Sequence, residues 1–220
     1  RMPEAAPTAL APGSAPIPAS GAMAPPAGAQ SARPDPATTA ALPSAPLAGP
    51  KALREAAGGG DPAAQYEMGL RFLDGRGGAE KDPKVAMQWL ERAAGRGLAP
   101  AQYRLGALYE KGVGVARDPV VAKNWYQRAA DAGNARAMHN LAVLTAEGAG
   151  DKPDYAGAAQ WFVKAAELGV RDSQYNLAIL YARGLGVEQN LALSYTWFAT
   201  AAKQGDQEAG KKRDEIAVKL

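Results

Sequence analysis

The chain has no cysteine and a single histidine among 220 residues. The first absence excludes disulfides, thiolate nucleophiles and thiolate-bound zinc. It leaves the compartment open, because a cysteine-free chain suits oxidising and reducing surroundings alike. The second absence leaves His139 without the companions that a metal site requires. Long apolar runs are missing too: none approaches the roughly 18–20 residues needed to span a bilayer. The N-terminus has no charged stretch followed by an apolar block, so it does not read as a signal peptide. The chain starts at Arg1 rather than Met, as expected of a piece of a longer protein whose targeting signals lie upstream. Charge of one sign is scarce, with a formal net charge of +3. Lys211, Lys212 and Arg213 form the only basic run, and Asp214 and Glu215 follow at once. That is too thin for a nucleic-acid surface.

Aromatic residues are absent from residues 1–50, which hold 12 of the 17 prolines. A segment so poor in large apolar groups cannot offset its ordering entropy. Residues 1–50 therefore read as a disordered Ala/Pro-rich linker, extended where prolines cluster.

From residue 51 onward the chain repeats itself. Trp89, Trp125, Trp161 and Trp197 are spaced by 36 residues, and so are Gly97, Gly133, Gly169 and Gly205. Gly75, Gly112, Gly148 and Gly184 keep the same step apart from one extra residue in the first interval. A period in this range marks a stack of one supersecondary unit. The expected domains are a partial N-terminal capping repeat over 51–61, four repeats over 62–97, 98–133, 134–169 and 170–205, and a C-terminal capping helix over 206–220.

Each repeat encodes two helices. In the second repeat, Ala101, Leu105, Leu108 and Tyr109 share one face of a helix from about Pro100 to Lys111. Gly112 and Gly114 then end it. The next helix starts at Asp118-Pro119, an acceptor at the N-cap followed by a residue with no N–H to lose. Asp82, Asp154 and Asn190 stand at the equivalent caps, and Asp206 caps the last helix. Paired alanines (Ala93-Ala94, Ala129-Ala130, Ala165-Ala166, Ala201-Ala202) let neighbouring helices approach. The expected repeat core is Trp89, Trp125, Trp161 and Trp197 with Leu105, Leu141, Leu177, Tyr109 and Tyr181. Trp125→Ala is expected to cost more than Trp197→Ala, because only the cap lies beyond the latter.

The pattern Ala-x-Tyr-x-Leu-Gly-x-x-Tyr-x-x-Gly-x-Gly-Val, then Asp-x-x-x-Ala-x-x-Trp-Tyr-x-x-Ala-Ala-x-x-Gly, resembles the Sel1-like repeat, a relative of tetratricopeptide repeats. The resemblance implies an all-α, right-handed α-solenoid of helix–turn–helix repeats that scaffolds protein complexes. The stretches Ala137-Met-His-Asn-Leu-Ala-Val-Leu, Asp154-Tyr-Ala-Gly-Ala-Ala-Gln-Trp-Phe and Arg171-Asp-Ser-Gln-Tyr-Asn-Leu-Ala-Ile-Leu-Tyr-Ala-Arg-Gly-Leu-Gly-Val-Glu-Gln-Asn190 are similar to the periplasmic part of PodJ-type polar localisation factors of alphaproteobacteria. That similarity implies a periplasmic domain of a single-span inner-membrane protein at a cell pole. Its partners would be polar or envelope proteins, and peptidoglycan is a further candidate.

Chemistry-bearing residues are sparse. His139 replaces the tyrosine found at 66, 103 and 175, so it reads as a substituted scaffold aromatic rather than a ligand or base. Helix capping explains Asp82, Asp118 and Asp154 without any acid/base pairing. The Gly-x-Gly pairs follow helices rather than strands and lack a Lys-Ser/Thr, so they are not phosphate loops. No Ser-x-x-Lys, Gly-x-Ser-x-Gly or metal cluster is present, so no catalytic, cofactor or metal residue is assigned and the chain is not expected to be an enzyme. Positions about 100° from the core leucines face outward. The candidate partner-binding groove is accordingly Glu67, Tyr103, Arg104, Lys111, His139, Asn140, Tyr175, Asn176 and Arg183. These positions read equally as an ordinary solvated face. A non-enzymatic protein-interaction scaffold is the favoured function; a glycan-binding envelope module and a periplasmic regulator of a signalling receptor are the alternatives.

Overall fold

A computed structural model describes residues 49–220. The disordered linker expected over 1–50 therefore lies outside the described residues, except for its last two. Ten helices occur among them: α1 (Lys51–Gly58), α2 (Pro62–Asp74), α3 (Pro83–Gly95), α4 (Ala99–Lys111), α5 (Pro119–Asp131), α6 (Ala135–Glu147), α7 (Tyr155–Glu167), α8 (Arg171–Arg183), α9 (Leu191–Lys203) and α10 (Gln207–Ala217). None of the ten is long and apolar enough to cross a membrane. The described residues fall into two compact units, α1–α5 and α6–α10, that divide after Asn134. Each unit is all-α and built as a short solenoid of αα-hairpins, in which every helix packs on the next along the chain.

Local chemistry sets the helix ends. Asp118 accepts from the N–H groups of Val120 and Val121, each at 3.0 Å, with Pro119 as the first helical residue. Asp82 does the same for Lys84 and Val85. Asp154, Asn190 and Asp206 each accept one bond, from Gly157, Leu193 and Ala209. The cap residue's own N–H reaches back to the preceding helix: Asp82 to Phe72 O, Asp118 to Tyr109 O, Asp154 to Thr145 O, Asn190 to Tyr181 O, at 2.8–3.0 Å. That bond fixes where the second helix of each hairpin begins against the first.

The two glycines of each Gly-x-Gly do different work. Gly112, at φ 71°, closes α4 in the left-handed region. Gly114 is a point of close approach, because a Cβ there would stand 2.8 Å from the carbonyl oxygen of Pro83 at the start of α3. Gly186 lies in the same way against the backbone of Tyr155. In the second and fourth repeats the second glycine therefore seats one hairpin's loop on the hairpin before it, a packing role in place of the expected helix termination.

Burial corrects the expected role of the tryptophans. Trp89 is fully buried, but Trp125, Trp161 and Trp197 are half-buried. The following residue is enclosed in every repeat: Leu90, Tyr126, Phe162 and Phe198. These side chains point into the hairpin, against positions kept small. A Cβ on Gly106 would stand 2.6 Å from the Tyr126 ring, and Ala142 and Ala178 occupy the equivalent site. Leu105, Leu141 and Leu177 are fully buried as expected; Tyr109 and Tyr181 are half-buried, and burial pushes both phenols up.

A buried amide ties three of the four hairpins to the helix before them. Gln65 Nε2 donates to Ala57 O at 3.2 Å, Gln102 to Ala94 O at 3.1 Å and Gln174 to Ala166 O at 3.1 Å. The carbonyls belong to the paired alanines, whose small side chains leave room for the amide to reach them. Gln174 also accepts from Gln204 Nε2 at 2.8 Å, which anchors the end of α9. At the equivalent place in the third repeat stands Met138.

Candidate functional site

Within the second unit, the first helices of successive hairpins line a recess of about 780 Å³. Glu147 comes from α6, Tyr175, Ile179 and Arg183 from α8, and Lys212, Glu215 and Lys219 from α10 and the residues just after it. The floor is apolar and aromatic. Tyr175 lies edge-on to Phe198 with ring centroids 5.4 Å apart, and Ile216 is buried beside them. Charge of both signs rims it, with Arg183, Lys212 and Lys219 interleaved with Glu147, Glu208 and Glu215. Lys212 donates to Glu215 at 3.0 Å, and this bond holds the ammonium pKa up. Such a rim binds weakly charge by charge but favours one register of an extended partner.

Of the expected groove residues, Tyr175, Asn176 and Arg183 meet in this recess. Asn176 needs correction: it is 1% exposed, so it belongs to the floor rather than to the surface. The others are placed elsewhere. Glu67 pairs with Arg71 at 3.0 Å and Arg76 at 3.3 Å in the first unit. Tyr103 packs on Tyr126 with centroids 5.8 Å apart, Arg104 is half-buried and Lys111 exposed. His139 and Asn140 are half-buried in the second unit and do not line the recess.

His139 has a packing role. Its ring lies 5.7 Å from that of Phe162, and Nδ1 stands 2.8 Å from Ser173 Oγ, a bond from α6 to α8. Ser173 is completely enclosed, so no substrate reaches its hydroxyl. Burial lowers the imidazole pKa to about 4, against the opposing pull of Asp172. The side chain is therefore neutral at pH 7 and serves as a polar tie between repeats.

The contribution of α10 escaped the reading of the sequence, which treated this helix as a cap alone. The repeat register held the signal. Lys212 follows Asn176 by one period, and Lys219 follows Arg183 in the same way. Continued one step further, the first-helix pattern places both at the groove.

A family model of the Sel1 repeat matches residues 62–98, 99–134, 135–170 and 171–206. The chain belongs to the Sel1 repeat family. Among solved structures it is similar to a Sel1 repeat protein from Oxalobacter formigenes, with 35% identity and a TM-score of 0.68, over 71% of this chain and 64% of that one. It is also similar to c5321, a protective antigen of uropathogenic Escherichia coli displaying an SLR fold, with 38% identity and a TM-score of 0.70, over 72% of this chain and 34% of that one. The chain thus spans less than two thirds of either relative. No curated protein matches it. Sel1 repeats generally mediate protein–protein interaction.

Proposed function

We propose that the second unit holds an extended segment of a partner protein in the recess lined by α6, α8 and α10. The observation that carries this reading is the shape and lining of that recess: three successive first helices, an apolar floor and a rim of both signs. A volume of this size accommodates several residues of a peptide. The chain acts as a scaffold, and its chemistry is recognition rather than bond-breaking. Peptides selected against the intact protein from a random display library test this. They should bind at least tenfold more weakly to Ile179→Asp, and equally well to Arg104→Asp in the first unit. Equal binding to both variants would contradict the proposal, as would co-sedimentation with peptidoglycan that Ile179→Asp leaves unchanged.

We further propose that the parent protein works outside the inner membrane, at a cell pole, where it positions its partner. The support is the resemblance of residues 137–144, 154–162 and 171–190 to polar localisation factors, together with the Pro/Ala-rich composition of residues 1–50. A fluorescent fusion of the parent protein should form polar foci; a uniform envelope or cytoplasmic signal would count against this placement.

A further inference from the structure

One series in the structure breaks at its last member. In the first three repeats a cation lies over the indole. Arg92 is 5.5 Å from the Trp89 ring centroid, Arg128 is 4.8 Å from Trp125, and Lys164 is 4.1 Å from Trp161. Each cation stands three residues after its tryptophan, one turn along the same helix face. The fourth repeat has Thr200 at that position. Its hydroxyl donates to Thr196 O at 2.8 Å, and the Thr196 hydroxyl donates to Ala192 O at 2.9 Å. Both hydroxyls are turned back onto the helix, so they leave methyl groups on the outside.

The rest of the outer face of α9 follows suit. Between Leu191 and Ala202 the helix carries no charge, whereas the matching stretches of α3, α5 and α7 carry three, two and one. Ala192 and Thr196 are exposed, and Tyr195 is 37% exposed. Lys203, the last residue of α9, is exposed on the same stripe, three turns beyond Ala192. This face is therefore uncharged up to Lys203 and lined by small groups, with a half-buried indole over which no cation lies among the described residues, and an outward ammonium one or two turns away.

We propose that the outer face of α9 docks on the α9 of a second copy of this chain. The two helices lie antiparallel, and Lys203 of each copy supplies the cation over Trp197 of the other. The pattern is self-complementary, as a two-fold interface demands. A two-fold axis between positions 198 and 200 sets position 203 of one helix against the 193–197 stretch of its mate. Alanine and threonine along the stripe permit the close axial separation, roughly 8 Å, of small-residue helix pairs. End-to-end stacking is the rival mode, and α10 opposes it. The register that gives Leu177 and Ala178 in α8, where α9 packs, gives Arg213 and Asp214 in α10, ion-paired at 2.7 Å. A further hairpin would have to desolvate that pair. A 13-residue helix is only about 20 Å long, so this interface falls below the standard size and the dimer is weak, with a Kd on the order of tens of micromolar.

Sedimentation equilibrium of the full chain, from low micromolar to about 0.5 mM, tests the proposal. The mean mass should rise from 22.7 kDa toward twice that value. Thr200→Arg restores the in-chain cation and should weaken the dimer at least tenfold while keeping the helical circular-dichroism signal. Lys203→Glu should weaken it comparably, whereas Lys111→Glu, on a first helix of the other unit, should leave it unchanged. A wild-type protein that stays monomeric throughout overturns the proposal. So does a dimer that both α9 variants leave intact. The groove plays no part in this inference, and Ile179→Asp should dimerise like the wild type.

Discussion

The two units are built from the same hairpin, yet they treat their inward-facing polar positions differently. In the first unit Glu67 is held by Arg71 and Arg76, and the Tyr126 hydroxyl donates to Glu110 at 2.5 Å. Each of these groups is matched within its own unit. In the second unit the matching positions carry His139 tied to Ser173, the buried Asn176, and Phe162 and Phe198 in place of Tyr126. Neither phenylalanine has a hydroxyl to direct outward, and Phe198 with Tyr175 and Ile216 gives an apolar floor to the recess beside α10. One scaffold thus yields a face on which Glu67 and Tyr126 are matched internally and a face that offers apolar surface to a partner. The repeat supplies the frame, and a few substitutions at inward positions decide which face recognises something.

The sharpest way to break this comparison is to remove the enclosed ring. Phe162→Ala should cost about 3–5 kcal/mol, clearly more than Trp161→Ala, and Tyr126→Ala should likewise exceed Trp125→Ala. Urea denaturation of the four variants checks the ranking; larger losses at the tryptophans would restore them as the main core residues.

The next effect is electrostatic and confined to the second unit. His139 has a folded pKa of about 4, below the ordinary value of 6.5. The unfolded chain therefore binds the extra proton first as pH falls. The stabilisation is complete above pH 6.5 and is lost between 6.5 and about 4, a change of about 1–3 kcal/mol. His139→Tyr, which installs the residue of the other repeats, should flatten stability over that window. An unchanged pH profile would contradict the buried neutral imidazole.

Smaller effects sharpen the account in the first unit. Gln102→Met, copying the residue at 138, should cost about 0.5–1.5 kcal/mol through loss of the bond to Ala94 O. Asp118→Ala should cost about 1 kcal/mol through the lost cap of α5. Thermal melts of both variants measure these values, and a neutral Gln102→Met would remove the amide from the forces that join hairpins.

Much of the fold was legible because its determinants are local. Asp118-Pro119, Gly112 and the paired alanines act within a few residues of where they stand, and the 36-residue step shows them recurring. What escaped depends on direction in space. Periodicity marks a tryptophan and its neighbour together, but only packing tells which one enters the hairpin, and Phe162 rather than Trp161 does so. The amide bond of Gln102 and the approach of Gly114 to Pro83 join distant parts of the chain and leave no local pattern. The candidate groove was legible only in part, since the period treats all repeats as equivalent. Tyr175, Asn176 and Arg183, all on α8, line a recess because α10 stands beside them. The few apolar residues of that helix hid its part in the wall.

The most direct test of the central claim is amide chemical-shift mapping of the intact protein with a display-selected peptide. The account predicts the largest perturbations at Tyr175, Ile179, Lys212 and Ile216, with Tyr103 and Arg104 nearly still. Perturbations centred on Tyr103 and Arg104, or spread evenly over both units, would contradict it.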